Sequence, residues 1–202
     1  MKKDNHIQAP MGETTVLLHT CCAPCSSAII EAMLKNGITP VIYYCNPNIY
    51  PFEEYEIRKN ECSRYAQSLG LEIVDADYDH DNWLEAVRGL EDEPERGGRC
   101  LKCFKLRLLR TAQYAAERGI KVITTTLASS RWKSLDQINI AGQWACDEVQ
   151  GSVGSGPVWW SQNWRKGGLQ ERRLQIIREY DFYNQLYCGC EFSMRVIKEE
   201  ER

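Results

Sequence analysis

Seven of the ten cysteines fall into three tight groups, Cys21-Cys22-x-x-Cys25, Cys100-x-x-Cys103 and Cys188-x-Cys190. Thiolates grouped this closely, with no matching histidines, suit a sulfur-ligated metal or a redox relay. Cys100-x-x-Cys103 opens a stretch with helical spacing. Its two sulfurs should lie on one face about a turn apart, beside the partial positive charge of the helix N-terminus, which favours thiolate. Cys21 and Cys22 sit where a strand gives way to a helix, and both reach one ion only if the backbone bends. Together Cys21, Cys22, Cys100 and Cys103 could complete a four-thiolate site, suited to zinc or to an iron–sulfur cluster. A closed structural zinc site does not need Cys25, which is either a core residue or the holder of a second metal. Cys188 and Cys190 either close a strained, labile disulfide or remain a pair of buried thiols. Cys45, Cys62 and Cys146 read as core.

Other residues carry weaker signals. The stretch from Arg99 to Arg110 carries five basic side chains, both ends included, and no acidic one. With Trp164-Arg165-Lys166 and Arg172-Arg173, this stretch reads either as a phosphate-backbone contact or as a solvated helix face. Trp159, Trp160 and Trp164 could stack on unpaired bases or pack in the core. Asn46, Asn48, Tyr50, Tyr55 and Arg58 crowd one turn, where polar groups can fix a small ligand, although Asn-Pro-Asn is also ordinary turn chemistry. Asp77, Asp79 and Asp81 could support a metal or donate protons, or form a solvated loop.

The elements that must position these residues alternate. Val16–His19 is a first strand. A helix follows, with Ser26 or Ser27 as its cap, an apolar face of Ile29, Ile30, Met33 and Leu34, and Gly37 at its end. Val41–Cys45 is a second strand, Glu53–Leu69 a helix closed by Gly70, and Leu71–Asp75 a third strand. Helices at Cys100–Arg118 and Ser134–Glu148 enclose a strand at Lys121–Thr126. This predicts an α/β fold, a Rossmann-like parallel sheet with helices on both faces and a C-terminal helical and loop extension. The expected division is a flexible polar tail over 1–15, a cluster-binding core over 16–150, and an extension over 151–202 hinged at Gly151–Pro157. Ligands in such sheets bind beyond the strand C-termini. There, Cys21-Cys22, Asn46–Asn48, Asp77–Asp79 and Thr125–Lys133 should converge.

Composition agrees with one folded domain: 202 residues, 43% hydrophobic, 25 basic against 28 acidic side chains and a formal charge of −3. That balance argues against holding nucleic acid by bulk charge, while leaving room for a local basic patch. The polar N-terminus lacks the apolar region of a secretory signal, and no run approaches the ~18 apolar residues of a membrane span. The expected compartment is the cytoplasm, with no membrane partner, where structural disulfides are rare.

Several long motifs occur in a telling order. They are His19-Thr-Cys-Cys-Ala-Pro, Tyr44-Cys-Asn-Pro-Asn-Ile-Tyr-Pro, Glu93-Pro-Glu-Arg-Gly-Gly-Arg-Cys-Leu-Lys-Cys, Thr124-Thr-Thr-Leu-x-x-Ser-x-x-Lys133, Asn163-Trp-Arg-Lys-Gly-Gly-Leu and Phe182-Tyr-Asn-Gln-x-Tyr-Cys-Gly-Cys190. Through these motifs the chain resembles the QueH family of epoxyqueuosine reductases over almost its whole length. The resemblance implies reduction of epoxyqueuosine to queuosine in the anticodon loop of tRNA, without cobalamin and with an electron donor. It also implies a 4Fe-4S cluster held by Cys21, Cys22, Cys100 and Cys103, a second mononuclear iron with Cys25 as candidate ligand, and Cys188–Cys190 as a redox pair apart from the cluster. Asp79, Tyr50 and Lys133 are candidate proton donors, and Asn46, Asn48, Arg58, Ser130, Arg165 and Lys166 candidate substrate contacts. The competing reading is a cluster-containing tRNA-thiolating ATPase of the adenine-nucleotide α-hydrolase type. Its phosphate loop, an S-G-G-x-D-S sequence, is missing: His-Thr-Cys-Cys-Ala-Pro-Cys-Ser stands there instead.

Overall fold

The computed structural model describes residues 6–194. Five parallel strands, β1 (Thr15–Thr20), β2 (Thr39–Tyr44), β3 (Ile73–Asp75), β4 (Val122–Thr125) and β5 (Val158–Trp159), lie in the order β3-β2-β1-β4-β5. The helices are α1 (Ala23–Lys35), α2 (Phe52–Ser68), α3 (His80–Ala86), α4 (Gly98–Glu117), α5 (Leu135–Val153) and α6 (Leu169–Glu179). Right-handed crossovers running outward from β1 in opposite directions put α1 and α2 on one face and α4 and α5 on the other. Helix α6 packs on α1. The strand order reverses between β1 and β4, so the ligand crevice of such a sheet opens there.

Central position explains the run Val16-Leu17-Leu18-His19-Thr20, in which all five side chains are buried. A strand covered on both faces reads as continuous burial instead of alternation. Pro24 in the first turn starts α1 at Ala23, with Cys22 at the N-cap. The cap expected at Ser26 or Ser27 is therefore displaced: Ser26 lies inside the helix and its hydroxyl donates to the Ala23 carbonyl (3.2 Å). Gly37 does close this helix, with φ +72°.

Two elements depart from the expected layout. Helix α5 runs through Gly151 to Val153, with Ser152 Oγ donating to the Glu148 carbonyl (2.8 Å), and stops at Gly154 in the left-handed conformation. The segment after it then pairs with β4 as β5, with the Val158 N–H donating to the Lys121 carbonyl (2.9 Å). The stretch read as a hinge is thus a helix end and the entry to a fifth strand. At the other end, residues 6–14 include the buried Ala9, and the Ile7 N–H donates to Asn36 Oδ1 (3.2 Å).

Trp159 lies across Gly142 of α5 so closely that a β-carbon there would overlap its indole ring. Gly142→Ala is expected to lower stability by about 1–3 kcal/mol, the usual cost of overpacking a filled site. Thermal unfolding would show it, and an unchanged midpoint would mean that β5 gives way freely.

Candidate active site

The β1–α1 turn brings three sulfurs together. The thiol atoms of Cys21, Cys22 and Cys25 lie within 4.8 Å of one another, and no other group of three or more His, Cys, Asp or Glu ligand atoms is as tight among the described residues. Cys21 sits at the switch point, where its N–H donates to Thr126 Oγ1 (3.2 Å) and its sulfur lies 3.4 Å from the same hydroxyl. Hydrogen bonds from Cys22 and Cys25 hold the Cys21 thiol well below its ordinary range. Burial pushes Cys22 well above that range, and the hydrogen bond to Cys21 pushes Cys25 up to about 12. Gln185 closes the group from the far end of the chain, its Nε2 donating to Cys22 Sγ (2.9 Å).

The remaining clustered cysteines form a second wall, on a cavity that Cys21, Cys22 and Cys25 do not line. Cys100, Cys103, Cys188 and Cys190 line one cavity together with Asn48 and Lys133. Lys133 Nζ donates to Cys188 Sγ at 2.9 Å. Burial alone would depress the lysine, but the adjacent Cys188 sulfur outweighs it and raises its pKa above the ordinary value, so the ammonium form persists. Burial pushes both Cys100 and Cys190 up to about 11. All ten cysteines are free thiols.

Arg107 joins the two walls. It is buried on α4, where Nε donates to the Cys45 carbonyl (3.1 Å), Nη2 to Asn46 Oδ1, and Nη1 reaches Cys103 Sγ (3.9 Å). Burial opposes its charge, and the sulfurs of Cys103 and Cys21 restore it. His19 lies beneath, with Nε2 donating to the Cys45 carbonyl (3.1 Å) and Nδ1 accepting from the Thr125 hydroxyl (2.7 Å). Burial, then the Arg107 charge, brings its pKa down to about 3. It is a neutral strut, not an acid.

The other expected site residues separate into several uses. Asn46 is structural: Nδ2 donates to the Thr20 carbonyl (2.9 Å) and Oδ1 receives Arg107. Asn48 lines the cavity, and its buried Oδ1 has no hydrogen-bond partner among the described residues. Arg58 pairs with Glu54 (2.6 Å) and donates to the carbonyls of Tyr187 and Cys188 (3.3 Å each), holding the Cys188–Cys190 segment in place. Gly189, at φ +111°, fits there because a β-carbon would stand 2.9 Å from Ile49 Cγ1 and 3.0 Å from Arg58 Nη1. Tyr50 binds this segment too, its N–H donating to the Gly189 carbonyl (2.8 Å) and its carbonyl accepting from the Tyr187 hydroxyl. Ser130 Oγ accepts from the Trp132 N–H (3.3 Å), and Arg165 Nη2 donates to the Lys133 carbonyl (2.7 Å). Asp79 is exposed at the start of α3, Lys166 is exposed, and neither lines the cavity.

Two readings are corrected. The cationic face expected on α4 is broken, because Arg99 and Arg107 turn inward; Arg99 donates to the carbonyls of Leu90 (3.2 Å) and Glu91 (2.7 Å). Trp160 and Trp164 are buried and Trp159 is half-buried against α5, so none is free to stack on RNA. Thr126, Gln185 and Arg107 are site residues that the sequence did not single out. Arg107 stood in plain view within the basic run, but nothing in a run of charges tells which one is buried.

A family model described as Epoxyqueuosine reductase QueH matches residues 16–196. The chain belongs to the QueH family. Curated relatives with the name Epoxyqueuosine reductase QueH include those of Histophilus somni, 47% identical over 94% of this chain and 76% of the relative, and Haemophilus influenzae, 44% identical over 94% and 75%. The Thermotoga maritima relative is 33% identical over 89% of this chain and 90% of its own. The span matched by the QueH model contains both sulfur walls, Lys133 and Arg107. No helix among the described residues of this QueH-family chain is long and apolar enough to cross a membrane.

Proposed function

We propose that this oxidoreductase removes the epoxide oxygen of epoxyqueuosine in tRNA, giving the cyclopentenediol of queuosine without cobalamin. The observation that carries the reading is the pairing of an ammonium with a redox-capable thiol, Lys133 on Cys188, in a cavity also lined by Cys100, Cys103 and Cys190. The balance is simple. Converting an epoxide to an alkene takes two electrons and two protons and releases water. Oxidation of the Cys188–Cys190 dithiol to a disulfide supplies both electrons and both protons, and an external reductant then restores the dithiol.

The donor chemistry fits an iron–sulfur cofactor: soft thiols without histidine, beside the cations Arg107 and Lys133. Cys21, Cys22, Cys100 and Cys103 would hold a 4Fe-4S cluster, with Cys25 toward a second iron. When bound, such iron supplies single electrons and Lewis acidity towards the departing oxygen. The chain's own groups shape the rest: Arg107 offsets the negative charge of the thiolates, Lys133 places a proton at the cavity wall, and Arg58 with Tyr50 fixes the Cys-Gly-Cys segment. The ATPase alternative has no comparable support, since Pro24 in the first turn of α1 removes an N–H from the place where phosphate would bind.

Anaerobic incubation with epoxyqueuosine-containing tRNA and a strong reductant, followed by nucleoside mass analysis, tests the proposal; the modified nucleoside should lose one oxygen. Cys21→Ser is expected to abolish the brown colour of anaerobically reconstituted protein. A colourless wild-type protein that instead retains zinc would sink the cluster assignment, and ATP turnover dependent on tRNA would favour the alternative.

A further inference from the structure

Of the six tryptophans, Trp132 alone is exposed, with 64% of its surface open. It lies in the loop before α5 and lines the same cavity as Lys133, Cys100 and Cys188. Single exposed aromatics are common enough on their own. Two further observations distinguish this one.

First, its backbone is pinned. The carbonyls of three successive residues each receive a guanidinium: Arg131 from Arg96 Nη2 (3.0 Å), Trp132 from Arg96 Nε (2.9 Å) and Lys133 from Arg165 Nη2 (2.7 Å). A segment already ordered loses little freedom when a ligand settles on it. Second, adjacent side chains are put to different uses. Lys133 carries its ammonium inward to Cys188, while Trp132 remains open at the rim with the Arg131 guanidinium 4.9 Å from its ring centroid. An open indole beside a cation, on an ordered backbone, is the chemistry that holds unpaired bases next to phosphate. Glu95 also lines this rim and would repel phosphate, leaving the Arg131 side as the path for a nucleic-acid backbone.

We propose that Trp132 is the stacking platform for the nucleobase whose substituent enters the cavity, with an unpaired RNA loop as occupant and Arg131 meeting its backbone. This rests on the reductase reading above and adds to it the residue and the mode of RNA contact. Trp132 takes the place that the sequence offered to Trp159, Trp160 and Trp164.

The test uses Trp132→Ala and Trp132→Phe with full epoxyqueuosine tRNA, and with a synthetic anticodon stem-loop followed by tryptophan fluorescence. Trp132→Ala should raise KM and the stem-loop Kd by about 5- to 100-fold, the range for losing one base–aromatic stack, with kcat unchanged. Trp132→Phe should recover most of the affinity while losing the fluorescence quenching that the stem-loop causes in the wild type. Wild-type KM and Kd in Trp132→Ala would overturn the platform. So would a loss confined to kcat, which would make Trp132 a mere support for Lys133. Stem-loop binding by a wild-type protein that reduces no epoxide would overturn the reductase reading instead, and the titration would still judge Trp132.

Discussion

Cys188→Ser is expected to abolish turnover with a dithiol reductant, and Lys133→Met to slow it by about 10²–10⁴-fold, the usual contribution of a positioned proton donor. The two effects share one contact. Lys133 Nζ lies 2.9 Å from Cys188 Sγ, and that sulfur is what keeps the half-buried lysine charged against the pull of desolvation. Methionine retains the length of the side chain and its packing but removes both the cation and the proton. The Cys188 sulfur would then lose the ammonium that donates to it. The rate at which iodoacetamide alkylates Cys188 should therefore fall together with single-turnover reduction. Lys133→Arg keeps the charge in a different shape and should recover part of the alkylation rate, since a guanidinium does not readily release a proton, with less recovery of turnover. Wild-type turnover in Lys133→Met would remove it from the mechanism.

Arg107→Met is expected to destabilise the protein by about 1–3 kcal/mol, the cost of leaving a buried acceptor without its donor. No carboxylate is among its hydrogen-bond partners, which are the Cys45 carbonyl, Asn46 Oδ1 and Cys103 Sγ. Removing the guanidinium leaves Asn46 Oδ1 without its donor and the Cys45 carbonyl with His19 Nε2 alone; it also leaves the sulfurs without their cation. Urea unfolding measures the first consequence. The second has its own sign: Arg107 lowers the pKa of both Cys21 and His19, so both should rise in the variant. A thiolate absorbance titration displaced to higher pH would separate this electrostatic role from simple loss of packing. Arg107→Lys should preserve part of that depression but lose the forked contact that spans Cys45 and Asn46.

Much of this arrangement was legible in the sequence because strand and helix periodicities are local. Val16–His19, the glycines at helix ends and the four post-strand motifs were enough to predict a parallel sheet with its crevice at the strand C-termini. The misplaced pieces have specific causes. Pro24 starts α1 earlier than the serines suggested, and Gly151 is carried by a helix that packs well enough to run through it. Strand β5 has two residues, too few for any alternation to show. In the site, cysteine spacing singled out the seven clustered thiols but not their grouping: it set Cys100 and Cys103 beside Cys21 and Cys22, whereas they share a cavity with Cys188 and Cys190. Thr126 and Gln185 reach Cys21 and Cys22 from 105 and 163 residues away. A contact of that kind has no local signature. Likewise, nothing in a stretch of arginines distinguishes Arg107, which is fully buried, from Arg110, which is half-buried and donates to the Asp77 carbonyl (3.3 Å).

The bond from Gln185 to Cys22 also carries a consequence in time. At ~5–20 residues per second, synthesis of the intervening chain takes roughly ten to thirty seconds. Cys21, Cys22 and Cys25 thus leave the ribosome long before Gln185, and Lys133 before Cys188. During that interval the nascent protein carries its N-terminal thiols without the wall that will enclose them. The site is finished by residues 185–190, so the moment at which those sulfurs become protected is set by the synthesis of that segment and not by the folding of the sheet that bears them.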